Sequence, residues 1–540
     1  MSSRAWAVAG AATSLAVALA VFDFYLFTGG DNAAYYALTR ALATGRGYVD
    51  LIEPGAPLET QLPPGFPLLL VPFYWLFGGA YVGLKVESLL AGAAALAGLW
   101  ALARRDPAVP EWAAVAAVWL FGLYPVFRVY THWVLSDMTY TAISLVALAM
   151  FARAAREPFE ETPRPQKGGK GRKQPKPERP PREVSDRPAG WWLVATLVAL
   201  FVFYVRTAGI ALLLAPLAWA LWRRAWRRAG VVAAILLLGA APWFLWSSRQ
   251  PPETGGYLQQ VSATRRLDPT SGRLSLGGYA GRMADNLAHY GTLDFPQMFW
   301  PQVVPPAAGP WVPPPLAARV FALFLGGALL GFGVARSLRR RGLTVMDLYA
   351  LLTLGILLAW AWTGDRFFMT LAPLLWLYVL VGLDGASRLV ARSSLPARIV
   401  AGALALFLGL GALREIPPAL ERTRAWLDGD ELAGYSDYWQ DYFSAARWIG
   451  ENAPDAVIVA RKPTFAWYWS GGRPSFVYPF HGDPDATWAS FRQRGATHLL
   501  LDYDSREFLA TTLEPHVDEL DVVHAAPRRA VVVVRIRPLR

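Results

Sequence analysis

The apolar positions of this chain fall in long uninterrupted runs, not at the alternating or three-to-four spacings of soluble strands and helices. A run of roughly 18 or more apolar residues matches the 30 Å hydrocarbon core of a bilayer at 1.5 Å of rise per residue. About eleven runs have the length and flanking charge of membrane spans. They are Trp6–Phe27, Val82–Leu102, Trp112–Val129, Leu135–Ala152, Trp191–Val205, Ala208–Trp222, Val231–Trp246, Leu316–Val334, Val345–Trp362, Phe367–Leu383 and Ile399–Leu413. A further run, Gly65–Phe77, is bounded by Pro63, Pro64 and Gly78 and is too short to span, so it reads as an interfacial or re-entrant helix. The first run lacks a small-residue cleavage site and reads as a retained span, not a removed signal.

The pattern changes after Leu413. A helical stretch at Tyr442–Asn452 is followed by short apolar runs at Ala456–Ala460, His498–Asp502 and Ala530–Ile536. Helical stretches near Asp485–Arg494 and Phe508–Leu520 separate them, which is the alternation of a small α/β unit. The predicted fold is therefore an all-α polytopic membrane protein over residues 1–414, followed by a small α/β domain over 430–540.

Charge decides the orientation. With Gly65–Phe77 left outside, five basic clusters fall on one side: Arg104–Arg105, Arg153–Arg187, Arg223–Arg228, Arg336–Arg341 and Arg388–Arg398. Counting that run as a span would scatter them, so the positive-inside rule favours a cytoplasmic face for all five. Loop 153–188, rich in Pro, Gly, Lys and Arg, is expected to be a disordered cytoplasmic segment whose charge is a solvated topology signal. Loops 29–64 and 247–315 and the C-terminal domain are then external. The formal net charge of +12 is explained by these loops, and no nucleic-acid partner is expected. The absence of cysteine excludes disulfides, thiolate catalysis and cysteine-based metal centres. No Walker A, H-E-x-x-H or dinucleotide fingerprint occurs, so nucleotide-driven pumping by this chain alone is unsupported.

Ionisable groups near a bilayer are costly and carry a functional hypothesis by default. Four places stand out, all on the external side of the predicted topology. They are Asp31 in GGDNAAYY; Asp137 in THWVLSDMTY, with His132 nearby; Lys85 and Glu87 at the head of a span; and Asp365-Arg366 in WTGDRFF, with Arg206 at a comparable depth. Each also has a plainer reading. Asp31 and Asp137 precede or open helices and are placed to cap them. Lys85 is placed to snorkel. Arg206 and Arg366 suit interfacial anchors, and His132 beside Trp133 suits a hydrogen-bonded boundary residue.

The order of these features resembles the GT-C superfamily of polyprenyl-phosphate-sugar glycosyltransferases, in particular bacterial relatives of protein O-mannosyltransferases and of the lipid A aminoarabinose transferase. The resemblance rests on one span followed by Asp31, on Ala41-Leu42-Ala43-Thr44-Gly45-Arg46-Gly47-Tyr48, and on LPPGFPLLLVPFYWLFGG from Leu62. Leu135-Ser136-Asp137 follows, then an Arg-x-x-x-x-x-x-Pro element at Arg366 and Pro373. SAARWIGENAP from Ser444 also looks like the start of the external domain in such proteins. In one respect the chain departs from the pattern: many relatives have Asp-Glu where Asp31-Asn32 stands, which leaves one carboxylate and weakens metal binding there.

The resemblance implies an enzyme of the bacterial cytoplasmic membrane with its site on the external face. It would move a sugar from a polyprenyl-phosphate donor to a hydroxyl of a glycolipid, polysaccharide or protein acceptor, by inverting displacement. Asp31 would be the base, with Asp137 as the second catalytic carboxylate. Arg366, then Arg206 and Lys85, would hold the phosphate, since a guanidinium can grip two phosphate oxygens at once. Tyr35, Tyr36, Tyr48 and His132 are candidates to line the substrate. A divalent cation, Mg or Mn, is possible if the fold brings Asp31 and Asp137 together. The proline-rich run from Leu62 is placed to line a groove for the lipid carrier. Every motif precedes Tyr435, so the tail is expected to be separable from the chemistry. A lipid-linked-sugar flippase and a non-catalytic scaffold are the alternatives; the lack of matched halves with broken helices speaks against transport.

Overall fold

A computed structural model of the chain describes residues 2–155, 187–249, 261–265, 268–300, 313–478, 483–528 and 530–538. The basic segment expected to be disordered lies almost wholly outside them. The chain is a polytopic membrane protein. Among the described residues seven helices are long and apolar enough to cross a bilayer: Ser3–Ala20 (α1), Tyr81–Ala103, Ser136–Ala155, Trp226–Ser247, Leu316–Arg341, Ala372–Ala391 and Leu395–Leu427. Shorter apolar helices at Gly65–Leu76, Glu111–Leu123, Gly190–Val205, Thr207–Trp222 and Val345–Ala359 complete the bundle. Large apolar side chains such as Leu237 and Leu238 point outward, 69% and 77% exposed, which suits a surrounding solvent of lipid.

Helices approach closely where glycine allows it. A Cβ on Gly333 would come within 1.8 Å of the Tyr378 carbonyl oxygen, and one on Gly382 within 2.0 Å of the Leu329 carbonyl oxygen. Leu316–Arg341 and Ala372–Ala391 thus meet backbone to backbone, the small-residue packing expected between helices in lipid. At the end carrying the basic clusters, Arg341 pairs with Asp106 (2.7 Å) and Asp347 (2.6 Å). This arginine is therefore a structural junction as well as part of a topology signal.

Several span boundaries differ from expectation, each for a local reason. The first helix ends at Ala20, not Phe27, and residues 21–31 leave the helix. The run Trp112–Val129 breaks at Tyr124, ahead of Pro125, into Glu111–Leu123 and Pro125–Tyr130. The run beginning at Phe367 is a four-residue helix, Asp365–Phe368, and then Ala372–Ala391, because Pro373 sets a new first turn. The last span extends over 33 residues to Leu427, straight through Pro417 and Pro418. Gly65–Leu76 is a helix of 12 residues, about 18 Å long, in keeping with its reading as a non-spanning element.

The tail forms a five-stranded sheet in the order β2-β1-β3-β5-β4, from β1 (Ile458–Ala460), β2 (Ser475–Phe476), β3 (His498–Leu501), β4 (Leu520–Ala525) and β5 (Val532–Ile536). Strands β1, β2 and β3 run parallel, while β5 is antiparallel to both β3 and β4. Strand β2, with only two residues, and strand β4, which begins where the stretch Phe508–Leu520 that reads as helical ends, were not legible in the pattern. The tail is docked on the membrane part. Ser475 N–H donates to the Ile52 carbonyl at 2.7 Å, Tyr435 hydroxyl to the Leu26 carbonyl at 2.8 Å, and Arg494 pairs with Glu53.

Candidate active site

Asp31 stands at the N-cap position of α2 (Asn32–Ala43), yet its side chain caps nothing. Its Oδ2 instead meets Arg366 Nη2 at 3.0 Å, and the side chain is 42% exposed. The plainer capping reading is therefore corrected: the backbone carbonyl accepts the Tyr35 N–H (2.9 Å), but the carboxylate faces the cation. Gly30 just before it has φ +68°, and a Cβ there would lie 3.1 Å from Arg366 Nη1. A side chain at this turn would be strained and would crowd the guanidinium.

Asp137 lies in the first turn of Ser136–Ala155 and is fully buried. The positive end of that helix favours its charge. It pairs with Arg206 and with Arg366 Nη2, the latter at 3.3 Å. Arg366 thus bridges Asp31 and Asp137, carboxylates more than a hundred residues apart in the chain. Arg206 occupies the break between Arg187–Val205 and Ile210–Trp222, in extended backbone (φ −156°). The centre of the Phe367 ring lies 5.1 Å from the Arg206 guanidinium and 5.3 Å from that of Arg366. Tyr35 hydroxyl and Ser136 Oγ, 3.0 Å apart, tie the helices carrying the two aspartates.

Beside this centre lies a further acidic group. Asp365 Oδ1 accepts the Arg366 N–H (2.9 Å) and the Tyr130 hydroxyl (3.4 Å), while its Oδ2 has no hydrogen-bond partner among the described residues. Burial, with Asp294 next, pushes the Asp365 carboxyl up to about 7. Asp294, in a π-helical turn at Tyr290–Asp294, has its Oδ2 3.3 Å from His289 Nε2. Asp365 was visible beside Arg366; nothing in the sequence marked Asp294.

Other candidates sit elsewhere. Lys85 does not snorkel. It is fully buried, and its Nζ donates to Asp23 Oδ1 (2.6 Å), the Asp23 carbonyl (2.9 Å) and the Tyr25 carbonyl (2.6 Å). All three ammonium protons are used, so Lys85 anchors the 21–27 segment and has no proton left to offer a phosphate. His132 joins that cluster, its Nδ1 3.3 Å from Asp23 Oδ2. Glu87 accepts the Thr139 hydroxyl at 2.8 Å. Tyr36 donates to the Gly79 carbonyl (3.0 Å) and packs among Tyr74, Tyr81, Trp467 and Tyr468. Tyr48 donates to the Leu62 carbonyl (2.6 Å). Both hydroxyls are thus engaged by backbone carbonyls, whereas the Tyr35 hydroxyl lies against Ser136, next to Asp137.

Among the described residues no group of three or more His, Asp or Glu converges to hold a metal ion. Asp31 and Asp137 do come together as the metal reading required, but a guanidinium bridges them and a second lies against Asp137. A divalent ion on this pair would displace the Arg366 guanidinium and face Arg206 across Asp137, so the charge of the present arrangement disfavours one.

These elements define a class: a polytopic helical membrane protein with two carboxylates and two arginines gathered where several helices begin, and an α/β unit docked beside them. Known structures share this fold. ArnT from Cupriavidus metallidurans, at 17% identity, matches over 99% of this chain and 98% of its own with a TM-score of 0.54. It matches equally when bound to undecaprenyl phosphate, at 16% identity. The oligosaccharyltransferase of Archaeoglobus fulgidus matches in its apo form over 93% of this chain and 70% of its own, at 14% identity and a TM-score of 0.57; the oligosaccharyltransferase AglB from that organism also matches in complex with an inhibitory peptide and a dolichol-phosphate. No family model and no curated protein matches the sequence. The GT-C resemblance carried by the motif order therefore holds at the level of the fold.

Proposed function

We propose that the protein is a membrane glycosyltransferase that moves a sugar from a polyprenyl-phosphate carrier to an acceptor hydroxyl on the external face of a bacterial cytoplasmic membrane. The observation that carries this reading is Arg366 bridging a partly exposed Asp31 and a buried Asp137. The undecaprenyl phosphate and dolichol-phosphate bound to the two structural neighbours support a lipid-phosphate donor.

On this reading the residues take distinct roles. Arg366 and Arg206 receive the donor phosphate; guanidinium groups stay ionised and offer paired N–H donors as charge grows on the leaving phosphate. Asp137, buried against both, fixes their positions. Asp31 takes the proton of the acceptor hydroxyl as the new C–O bond forms at the anomeric carbon and the bond to the phosphate oxygen breaks, releasing polyprenyl phosphate. Attack from the face opposite the phosphate inverts the anomeric centre. A phosphate on Arg366 also competes with Asp31 for the guanidinium, which frees the carboxylate to act as a base when the donor is in place.

The test is to incubate purified protein with a panel of polyprenyl-phosphate sugars and measure released polyprenyl phosphate. Release from at least one donor, lost in Arg366→Lys because lysine lacks the planar two-point contact, is the expected result. Turnover of no donor by the intact protein sinks the proposal.

A further inference from the structure

Asp31 heads α2, and Lys462 heads Pro463–Trp469 in the C-terminal unit. These helices pack together, and the chain segments that contain them run in the same direction. The Tyr36 and Trp467 rings are 6.2 Å apart; further on, Arg40 lies 5.8 Å from the Trp467 ring, its Nη1 3.6 Å from where a Cβ on Gly472 would stand. Stepping back five residues along each chain from the Tyr36–Trp467 contact reaches Asp31 on one side and Lys462 on the other. The Asp31 charge acts on the Lys462 ammonium.

The main chain of Lys462 is firmly held, its N–H donating to the Tyr442 hydroxyl (3.3 Å) and its carbonyl accepting from it (3.1 Å). Its side chain is half-buried, and among the described residues its ammonium makes no hydrogen bond or close ion pair. Neighbouring Arg461 is fully engaged by Asp502 (2.8 Å), Asp504 (3.3 Å) and Tyr438. Burial first, then Arg461, hold the Lys462 ammonium below the usual lysine range. A half-buried cation with no partner, beside a carboxylate already bridged to Arg366, suits an anionic ligand at the open side of Asp31.

We propose that Lys462 is a phosphate-binding residue of this site, a cation brought by the C-terminal unit to join Arg366 and Arg206 around the phosphate of the lipid donor. The proposal rests on the glycosyltransferase reading above. It makes docking of the tail a condition for a complete donor site.

The test measures undecaprenyl phosphate binding to the full-length protein in detergent, for wild type, Lys462→Ala and Lys462→Arg. Loss of a charge-assisted hydrogen bond weakens binding roughly 10- to 100-fold, and that is expected of Lys462→Ala. Lys462→Arg should stay within a few-fold of wild type, and both variants should unfold at the wild-type temperature because the side chain holds no protein partner. Unchanged affinity in Lys462→Ala overturns the proposal. So does unchanged affinity with a shifted pH profile of turnover, which would make Lys462 a positioning residue for Asp31. Displacement of the lipid by millimolar inorganic phosphate as readily as by undecaprenyl phosphate would assign the cation to a free anion and also overturn it. A wild-type protein that binds no undecaprenyl phosphate overturns the functional reading itself, which separates the two failures.

Discussion

At the residue scale the sharpest assignments concern two aspartates. Asp31 makes no capping hydrogen bond, so Asp31→Asn removes a charge and a proton acceptor and leaves the helix start intact; asparagine is as good an N-cap in any case. Donor turnover should fall roughly 10²- to 10⁴-fold with an unchanged unfolding temperature. Turnover within a few-fold of wild type would remove Asp31 from the mechanism. Asp365 makes a prediction about pH. Its carboxyl is raised from 3.8 to about 7, so the folded state keeps a proton that the unfolded state releases. Stability from this group is full below about pH 4 and is lost as pH rises toward 7. Asp365→Asn should flatten the fall in unfolding temperature between pH 5 and 7. Glu59, raised to about 7 by burial, contributes in the same direction, so part of the slope should remain. An equal slope in wild type and variant would show that Asp365 is ionised throughout.

At the scale of elements, breaks in helices build the site. Asp31 follows the break after α1, Arg206 fills the gap after Arg187–Val205, and Arg366 sits in the short helix before Ala372–Ala391. Breaks expose backbone that must be satisfied, and Lys85 does so for the 21–27 segment. Lys85→Met should therefore act on stability. It leaves the buried Asp23 carboxylate without its main partner, at a cost of about 3–5 kcal/mol. The expected outcome is a large loss of thermal stability or of folded protein in detergent. A Lys85→Met protein of normal stability that fails to bind donor would return this lysine to the phosphate site.

At the scale of the whole molecule, orientation and docking are the open quantities. The basic clusters at the far end from Asp31 predict that a cysteine introduced at Lys170 is protected from an impermeant reagent in intact cells, while one at exposed Glu451 reacts. The chain has no cysteine of its own, so the readout is clean, and labelling at Lys170 would invert the topology. The expected separability of the tail is not supported by its contacts. Trp467 and Tyr468 pack on Tyr36, and Ser475 bonds Ile52. A chain ending near Leu432 should lose undecaprenyl phosphate binding in detergent.

Much of this protein was legible in the chain itself, because the bilayer imposes a simple rule: long apolar runs must become helices that satisfy their own backbone. That rule, with basic residues segregated to one set of loops, determined a polytopic helical body and an α/β tail, and the cost of charge near lipid singled out Asp31, Asp137, Arg206 and Arg366. Tertiary structure alone decided how they are used. Whether a carboxylate caps a helix or faces a cation depends on which distant segment arrives beside it, and Arg366 reaches Asp31 across 335 positions. Lys85 and Lys462 show the same limit in opposite directions. The lysine that looked like a phosphate ligand is consumed by Asp23 and two carbonyls. The one in the tail, which nothing in the local sequence distinguished, is carried to the Asp31 side of the molecule by helix packing. Pairing of charges is a property of proximity in space, and in this chain only the assembled bundle and its docked tail supply it.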